Sequence, residues 1–281
     1  MMTARDFRFG VNLFTAGPRK AWQETARRVE DLGYDVLLVP DHLGMTAPFP
    51  ALVSAAEVTT RPRLGTLVLN AGFYRPALLA RDVAGVHELT DGRFELGVGT
   101  GYAAAEFEAA GLPFPGARQR IEHLEHTVTE VSRELAAAGH RVPMMIGGAG
   151  EKVLTIAARH ADIVNIAGAG PLPGSGQADP LSARVGFVRR AAGERFDQLE
   201  LGMFLAAVHI AGSGEPDLFV PRALYPDLSE EELLALPGVL HGSAGEVADS
   251  LRGIRETYGI SYFATADRYL APLAKVISQL R

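Results

Sequence analysis

Short apolar runs alternate with longer amphipathic stretches along most of the chain. Branched and apolar residues cluster at 7–14, 36–40, 64–69, 94–98, 143–146, 162–166, 201–209 and 262–264. Each cluster has the length of a buried strand. Helical patterns fill the intervals at 19–32, 50–60, 76–89, 117–138, 151–160, 180–192, 243–258 and 271–280. Gly33, Gly139 and Gly259 close three of them, as left-handed C-terminal caps require. Such alternation is the pattern of βαβ units in a parallel sheet. About eight repeats in 281 residues predict one α/β domain spanning 1–281, a (β/α)8 TIM barrel. An open doubly wound sheet is the alternative, but a dinucleotide fold needs a glycine-rich turn after its first strand, which is missing here.

Two segments exceed the minimal repeat. Residues 100–116 carry GLPFPG, and residues 211–242 carry GSGEP, YPD and the acidic stretch SEEELLAL. Both leave strand C-termini, the face on which barrel active sites are built, so both are candidate insertions over a substrate pocket.

Composition then narrows the chemistry. The net charge is -6 with both signs interspersed, which leaves no basic face for nucleic acid. Cysteine is absent, so disulfides, thiolate metal sites and a cysteine nucleophile are excluded. No apolar run is long enough for a bilayer and the N-terminus has no apolar leader segment, which predicts a soluble, cytoplasmic protein with no membrane partner. HExxH, GxSxG and Walker motifs are missing. His123 and His126, beside Glu122 and Glu125, read as a solvated helix face rather than a metal site; no metal is expected.

The candidate chemistry sits at strand ends. In VLLVPDHLG (36–44), Pro40 stops a buried strand and delivers Asp41 and His42 to its C-terminal tip. The pair suits proton transfer near neutral pH. Two glycine turns, Gly99-Thr100-Gly101 and Gly147-Gly148-Ala149-Gly150, are candidate phosphate cradles, the second running into a helix where Lys152 could add charge. A side chain at Gly148 is accordingly expected to obstruct phosphate without unfolding the barrel. Asn12 and His209, at the ends of the first and seventh strands, are candidate substrate contacts.

Taken in order, FRFGV (7–11), ARRVEDLGYDVLLVPDHLG (26–44), RLGTLVLNAGFYRPALLARDV (63–83), ELTDGRFELGVGTGY (88–102), EFEAAGLPF (106–114), IGGAG with ARHADIVNI (158–166) and GSAGEVADSLRGIRETYGISYF (242–263) resemble the bacterial-luciferase-like superfamily. Within it the chain is similar to the branch using the 8-hydroxy-5-deazaflavin coenzyme F420. The resemblance implies a barrel holding deazaflavin, or alternatively FMN, at its C-terminal mouth, in a homodimer acting on a small-molecule substrate. It implies Asp41 near the ring, His42 facing substrate, and a non-prolyl cis peptide at Leu67–Val68, followed by Asn70, backing the ring. The sugar-phosphate dehydrogenases of that branch carry a carboxylate directly after the Gly-Thr-Gly turn, where this chain has Tyr102. That departure points to an F420-dependent reductase acting on an activated C=C or C=N bond, with Tyr102 or His42 supplying the proton. A monooxygenase using reduced FMN and oxygen is the alternative.

Overall fold

The protein is described by a computed structural model covering residues 5–14, 17–166 and 179–281. Its strands are β1 (Arg8–Asn12), β2 (Val36–Val39), β3 (Arg63–Thr66), β4 (Leu69–Asn70), β5 (Phe94–Gly99), β6 (Met144–Gly148), β7 (Ile163–Ile166), β8 (Glu200–Leu205), β9 (Ala207–Ile210), β10 (Val239–Gly242) and β11 (Ile260–Ala266). Its helices are α1 (Arg19–Asp31), α2 (Pro48–Ala56), α3 (Pro76–Leu89), α4 (Ala104–Ala109), α5 (Ala117–Ala137), α6 (Glu151–His160), α7 (Pro180–Ala192), α8 (Phe219–Leu224), α9 (Glu230–Leu234), α10 (Ala244–Tyr258) and α11 (Leu270–Leu280).

Parallel pairing runs β3-β2-β1-β11-β8-β7-β6-β5-β4, and β3 also pairs β5, which closes the sheet. With β3 and β4 sharing one position, the result is an eight-stranded parallel barrel wrapped by helices. Strands buried on both faces explain the unbroken apolar runs that mark them in the sequence. The larger core lies between barrel and helices, while Val36, Leu38, Met145, Ile163, Tyr262 and Ala264 fill the barrel interior. Gly33, Gly139 and Gly259 take the positive φ expected of helix ends. No helix among the described residues is long and apolar enough to cross a membrane.

The end of the barrel where the strands begin is closed by charge. Arg8 binds Glu95 at 2.6 Å and Glu200 at 2.5 Å and lies 4.6 Å above the Tyr262 ring, and Arg63 also pairs with Glu95. Glu95 is buried, so its two arginines compensate the cost of removing a carboxylate from water.

Three elements depart from the sequence pattern. The run at 64–69 is two strands: β3 ends at Thr66, the Leu67–Val68 peptide is cis, as the resemblance implies, and β4 resumes beside β5. Across this jog the Thr66 hydroxyl donates to the Gly97 carbonyl at 2.7 Å and accepts from its N–H at 2.9 Å, in place of backbone ladder bonds. The run at 201–209 also breaks, because Ala206 N–H turns to the Gly238 carbonyl (2.7 Å) and β9 leaves the barrel to pair with β10. The second helix runs Pro48–Ala56 rather than 50–60, with proline in its first turn, where no N–H is required.

Candidate active site

The jog at Leu67–Val68 pushes the Val68 side chain against glycines. A Cβ at Gly97 would lie 1.8 Å from the Thr66 carbonyl oxygen, and one at Gly99 would lie 2.8 Å from Val68 Cγ2. One at Gly147 would be 3.6 Å from Val68 Cγ1. Gly97 and Gly99 are therefore demanded by this close approach, so the missing side chain at Gly99 accommodates the protein's own bulge. At Gly101, φ is +69° and a Cβ would sit 2.1 Å from Asn70 Oδ1.

A cavity of about 680 Å³ opens over this floor, at the end where the strands finish. Of the residues singled out in the sequence, Asn12, Asp41, His42, Leu67, Val68, Asn70, Gly99, Thr100, Gly101, Tyr102, Gly147, Gly148 and Ala149 line it. Gly150, Lys152 and His209 do not line it. Gly150 is the residue before α6, and exposed Lys152 lies in that helix's first turn. His209 sits on β9, opposite His241 of β10, outside the barrel register.

Burial raises the pKa of the Asp41 carboxyl, opposed by the Asn70 N–H, which donates to Oδ2 at 3.0 Å, and by the Tyr74 hydroxyl. The same burial, with Asp41 beside it, raises the Tyr74 phenol. Asp41 thus ties the tip of β2 to the start of the turn after β4. Asn70 Oδ1 in turn accepts the Gly72 N–H at 3.0 Å.

The sequence reading did not single out the partner of His42. Its Nδ1 lies 2.8 Å from Oε1 of Glu106, in the first turn of α4. A carboxylate can only accept, so this contact places a proton on Nδ1 and leaves Nε2 without a share in it. Tyr102 stands at the rim, 76% exposed, with its ring edge-on to the imidazole at a centroid distance of 6.0 Å. Shielding by the protein and the Glu106 charge both raise its phenol. The sequence signal was available: Glu106 follows the Gly-Thr-Gly turn by five residues, at the start of a short amphipathic stretch. The cavity also takes in Phe14, Asn165 and Phe204, together with Phe219, Val220, Ala223 and Leu224 from the second insertion.

Among the described residues, no group of three or more His, Cys, Asp or Glu could hold a metal. His123, read as solvated, instead donates from Nε2 to the Ala71 carbonyl at 3.0 Å. The arrangement fits a flat ring with a phosphate tail. Asn12 is buried, with Nδ2 bonded to the Leu67 carbonyl at 3.1 Å and Oδ1 left without a partner at the cavity wall. The start of α6 has no side-chain cap, which leaves first-turn N–H groups for an anion.

Residues 6–211 match the family described as luciferase-like monooxygenase. An F420-dependent glucose-6-phosphate dehydrogenase of Intrasporangium calvum is 38% identical over 128 residues, 42% of this chain and 38% of that relative. A 4-hydroxyprotoasukamycin monooxygenase of Streptomyces nodosus subsp. asukaensis is 32% identical over 102 residues, 34% of this chain and 28% of that enzyme. These matches thus span well under half the length of either relative. The fold superposes on an F420-dependent secondary alcohol dehydrogenase solved with an F420-acetone adduct, with a TM-score of 0.78 and 16% identity, covering 99% of this chain and 100% of that one. With the family match running from the first strand through β9 and the closed barrel agreeing with it, the chain belongs to the luciferase-like monooxygenase family.

Proposed function

We propose that the protein is a coenzyme F420-dependent oxidoreductase that reduces an activated C=C or C=N bond of a small or natural-product-like molecule. The observation that carries this reading is the 2.8 Å contact between Glu106 and His42 on the wall of the mouth cavity. Curated relatives that use F420, and a solved F420 enzyme with the same fold, support the choice of cofactor.

Reduction adds a hydride to one end of the double bond and a proton to the other; F420 supplies the two electrons as hydride, and the protein must supply the proton. His42 is placed to do so. Glu106 holds Nδ1–H, which fixes the tautomer and orientation of the ring, and would balance its charge when Nε2 is also protonated, so the proton to be delivered would be carried on Nε2. Leu67 and Val68 would back the ring. Asp41 and Asn12 would meet its polar edge, and Thr100, Gly148 and Ala149 with the start of α6 would receive the phosphate. Tyr102 closes the rim beside His42 and, with its phenol raised, serves as a neutral hydrogen-bond donor rather than a base.

The deciding experiment is a fluorescence titration of the purified protein with F420 and, separately, with FMN. Saturable F420 binding at least tenfold tighter than FMN is expected. FMN binding without F420 binding would replace the proposal with the second reading, an FMN monooxygenase, which the likeness to 4-hydroxyprotoasukamycin monooxygenase favours.

A further inference from the structure

The mouth cavity contains two carboxylates, Asp41 and Glu106, and no lysine or arginine among its described lining residues. Beyond the α6 start that the proposed function gives to the cofactor's phosphate, a phosphorylated or carboxylated substrate would meet two acids and no lysine or arginine.

The remaining wall is apolar. The excursion between β8 and β11 lays α8 over the mouth, where Phe219, Val220, Ala223 and Leu224 line the cavity. Phe219 and Leu224 are 65% and 54% exposed, although each is a large apolar side chain. This wall is held in place. Asp217, just before α8, pairs with Arg268 at 2.7 Å and accepts the Phe219 N–H at 3.0 Å. The Arg268 guanidinium lies 4.3 Å above the Phe219 ring, and the Tyr269 hydroxyl donates to the Asp217 carbonyl at 2.8 Å. Arg268 and Tyr269 directly follow β11, so α8 is pinned to the barrel rim.

We infer that α8 is the specificity wall of the site and that the substrate is an uncharged, largely apolar molecule carrying one polarised double bond. This rests on the reductase reading above for the double bond, but the charge and polarity of the substrate follow from the wall itself. Bare apolar surface in a cavity gains by being covered, at about 25 cal/mol per Å² buried.

The test is calorimetric, on the F420-loaded protein and on the protein alone, with carvone, citral and menadione as neutral probes and glucose 6-phosphate as the anionic one. At least one neutral probe is expected to bind tenfold or more tightly than glucose 6-phosphate. Leu224→Glu should weaken that probe at least tenfold, about 1.4 kcal/mol, while Leu224→Ile stays within threefold. The position is more than half exposed, so the melting temperature should hold. Glucose 6-phosphate binding as tightly as every neutral probe, no neutral probe binding, or Leu224→Glu binding like the parent would each overturn the inference. Failure of F420 to bind would sink the cofactor reading alone, because the probe comparison on the protein without cofactor still decides the wall.

Discussion

Gly148→Ala separates what the glycine turn does for the fold from what it does for a ligand. Sequence reasoning expects a side chain there to intrude on phosphate and leave the barrel intact. The geometry says otherwise: the added Cβ would lie 2.5 Å from Val153 Cγ1 and 2.9 Å from Val153 Cβ, against about 3.5–4.0 Å for a relaxed carbon contact. Val153 is a buried, β-branched residue in the first turn of α6, and its Cβ is fixed by the backbone, so no rotamer relieves the second contact. α6 must move away from β6. Overpacking of this kind costs about 1–3 kcal/mol. At roughly 2–4 °C per kcal/mol for a chain of this size, a fall of about 2–12 °C in melting temperature is expected. Gly147→Ala is the control, since its Cβ would meet Val68 at 3.6 Å and Asn165 at 4.0 Å, ordinary contacts. It should leave stability nearly unchanged while narrowing the cavity beside Val68. Adding Val153→Ala to Gly148→Ala removes the 2.5 Å contact but keeps the 2.9 Å one, so recovery should be partial. Scanning calorimetry of the parent, both single variants and the pair reads all of this, and a Gly148→Ala protein melting within 1 °C of the parent would refute the packing argument.

Three further outcomes follow from named contacts. His42→Ala should slow single-turnover reduction by about 10²–10⁴-fold and Glu106→Gln by about 10–100-fold, and the double variant should match His42→Ala within a few-fold because the pair acts as one unit. Multiplicative losses in stopped-flow traces would show that Glu106 works by another route. Burial raises the Asp41 pKa, so its contribution to stability is greatest below the carboxylate's unfolded value and is lost as pH rises through the native value. The melting temperature of Asp41→Asn should therefore gain on that of the parent between pH 4 and pH 8, while F420 affinity falls; a constant difference across that range contradicts the burial argument. Glu95→Gln at the closed end leaves Arg8 and Arg63 short of a counter-charge and should cost about 3 kcal/mol in urea unfolding, with F420 affinity unaltered because the cavity opens at the other end.

Much of the architecture was legible because a parallel barrel writes itself as short apolar runs at regular intervals. Asp41 and His42 were legible for a related reason: a proline stop followed by two ionisable groups makes little sense at the end of a buried strand unless that end lies at the mouth. The breaks at Leu67–Val68 and Ala206 were not legible from the letters. In both places the apolar run continues unbroken, and what divides it is the partner available on each side. Thr66 reaches β5 through its hydroxyl, whereas Ala206 turns to the Gly238 carbonyl in an excursion some thirty residues downstream. His209 was misplaced for the same reason: it was read as the end of the seventh barrel strand, but it lies within β9, which belongs to a different sheet.

Glu106 shows most directly why a site cannot be read from adjacency alone. At the residue after the Gly-Thr-Gly turn, where the resemblance implies a carboxylate, this chain has Tyr102. In the fold, Ala103 ends the extended segment and α4 begins at Ala104, so Glu106 lies on the first helical turn and swings back over the tip of β2. A carboxylate five residues beyond the turn binds the imidazole of His42, while the residue next to the turn is a largely exposed phenol at the rim. With Glu106 bonded to His42 and a phenol at position 102, the opening between Tyr102 and α8 offers a hydrogen-bond donor and apolar surface, with no lysine or arginine among its described residues. Under the proposal above, the position that departs from the sugar-phosphate dehydrogenases and the insertion over the mouth would select for the same kind of molecule.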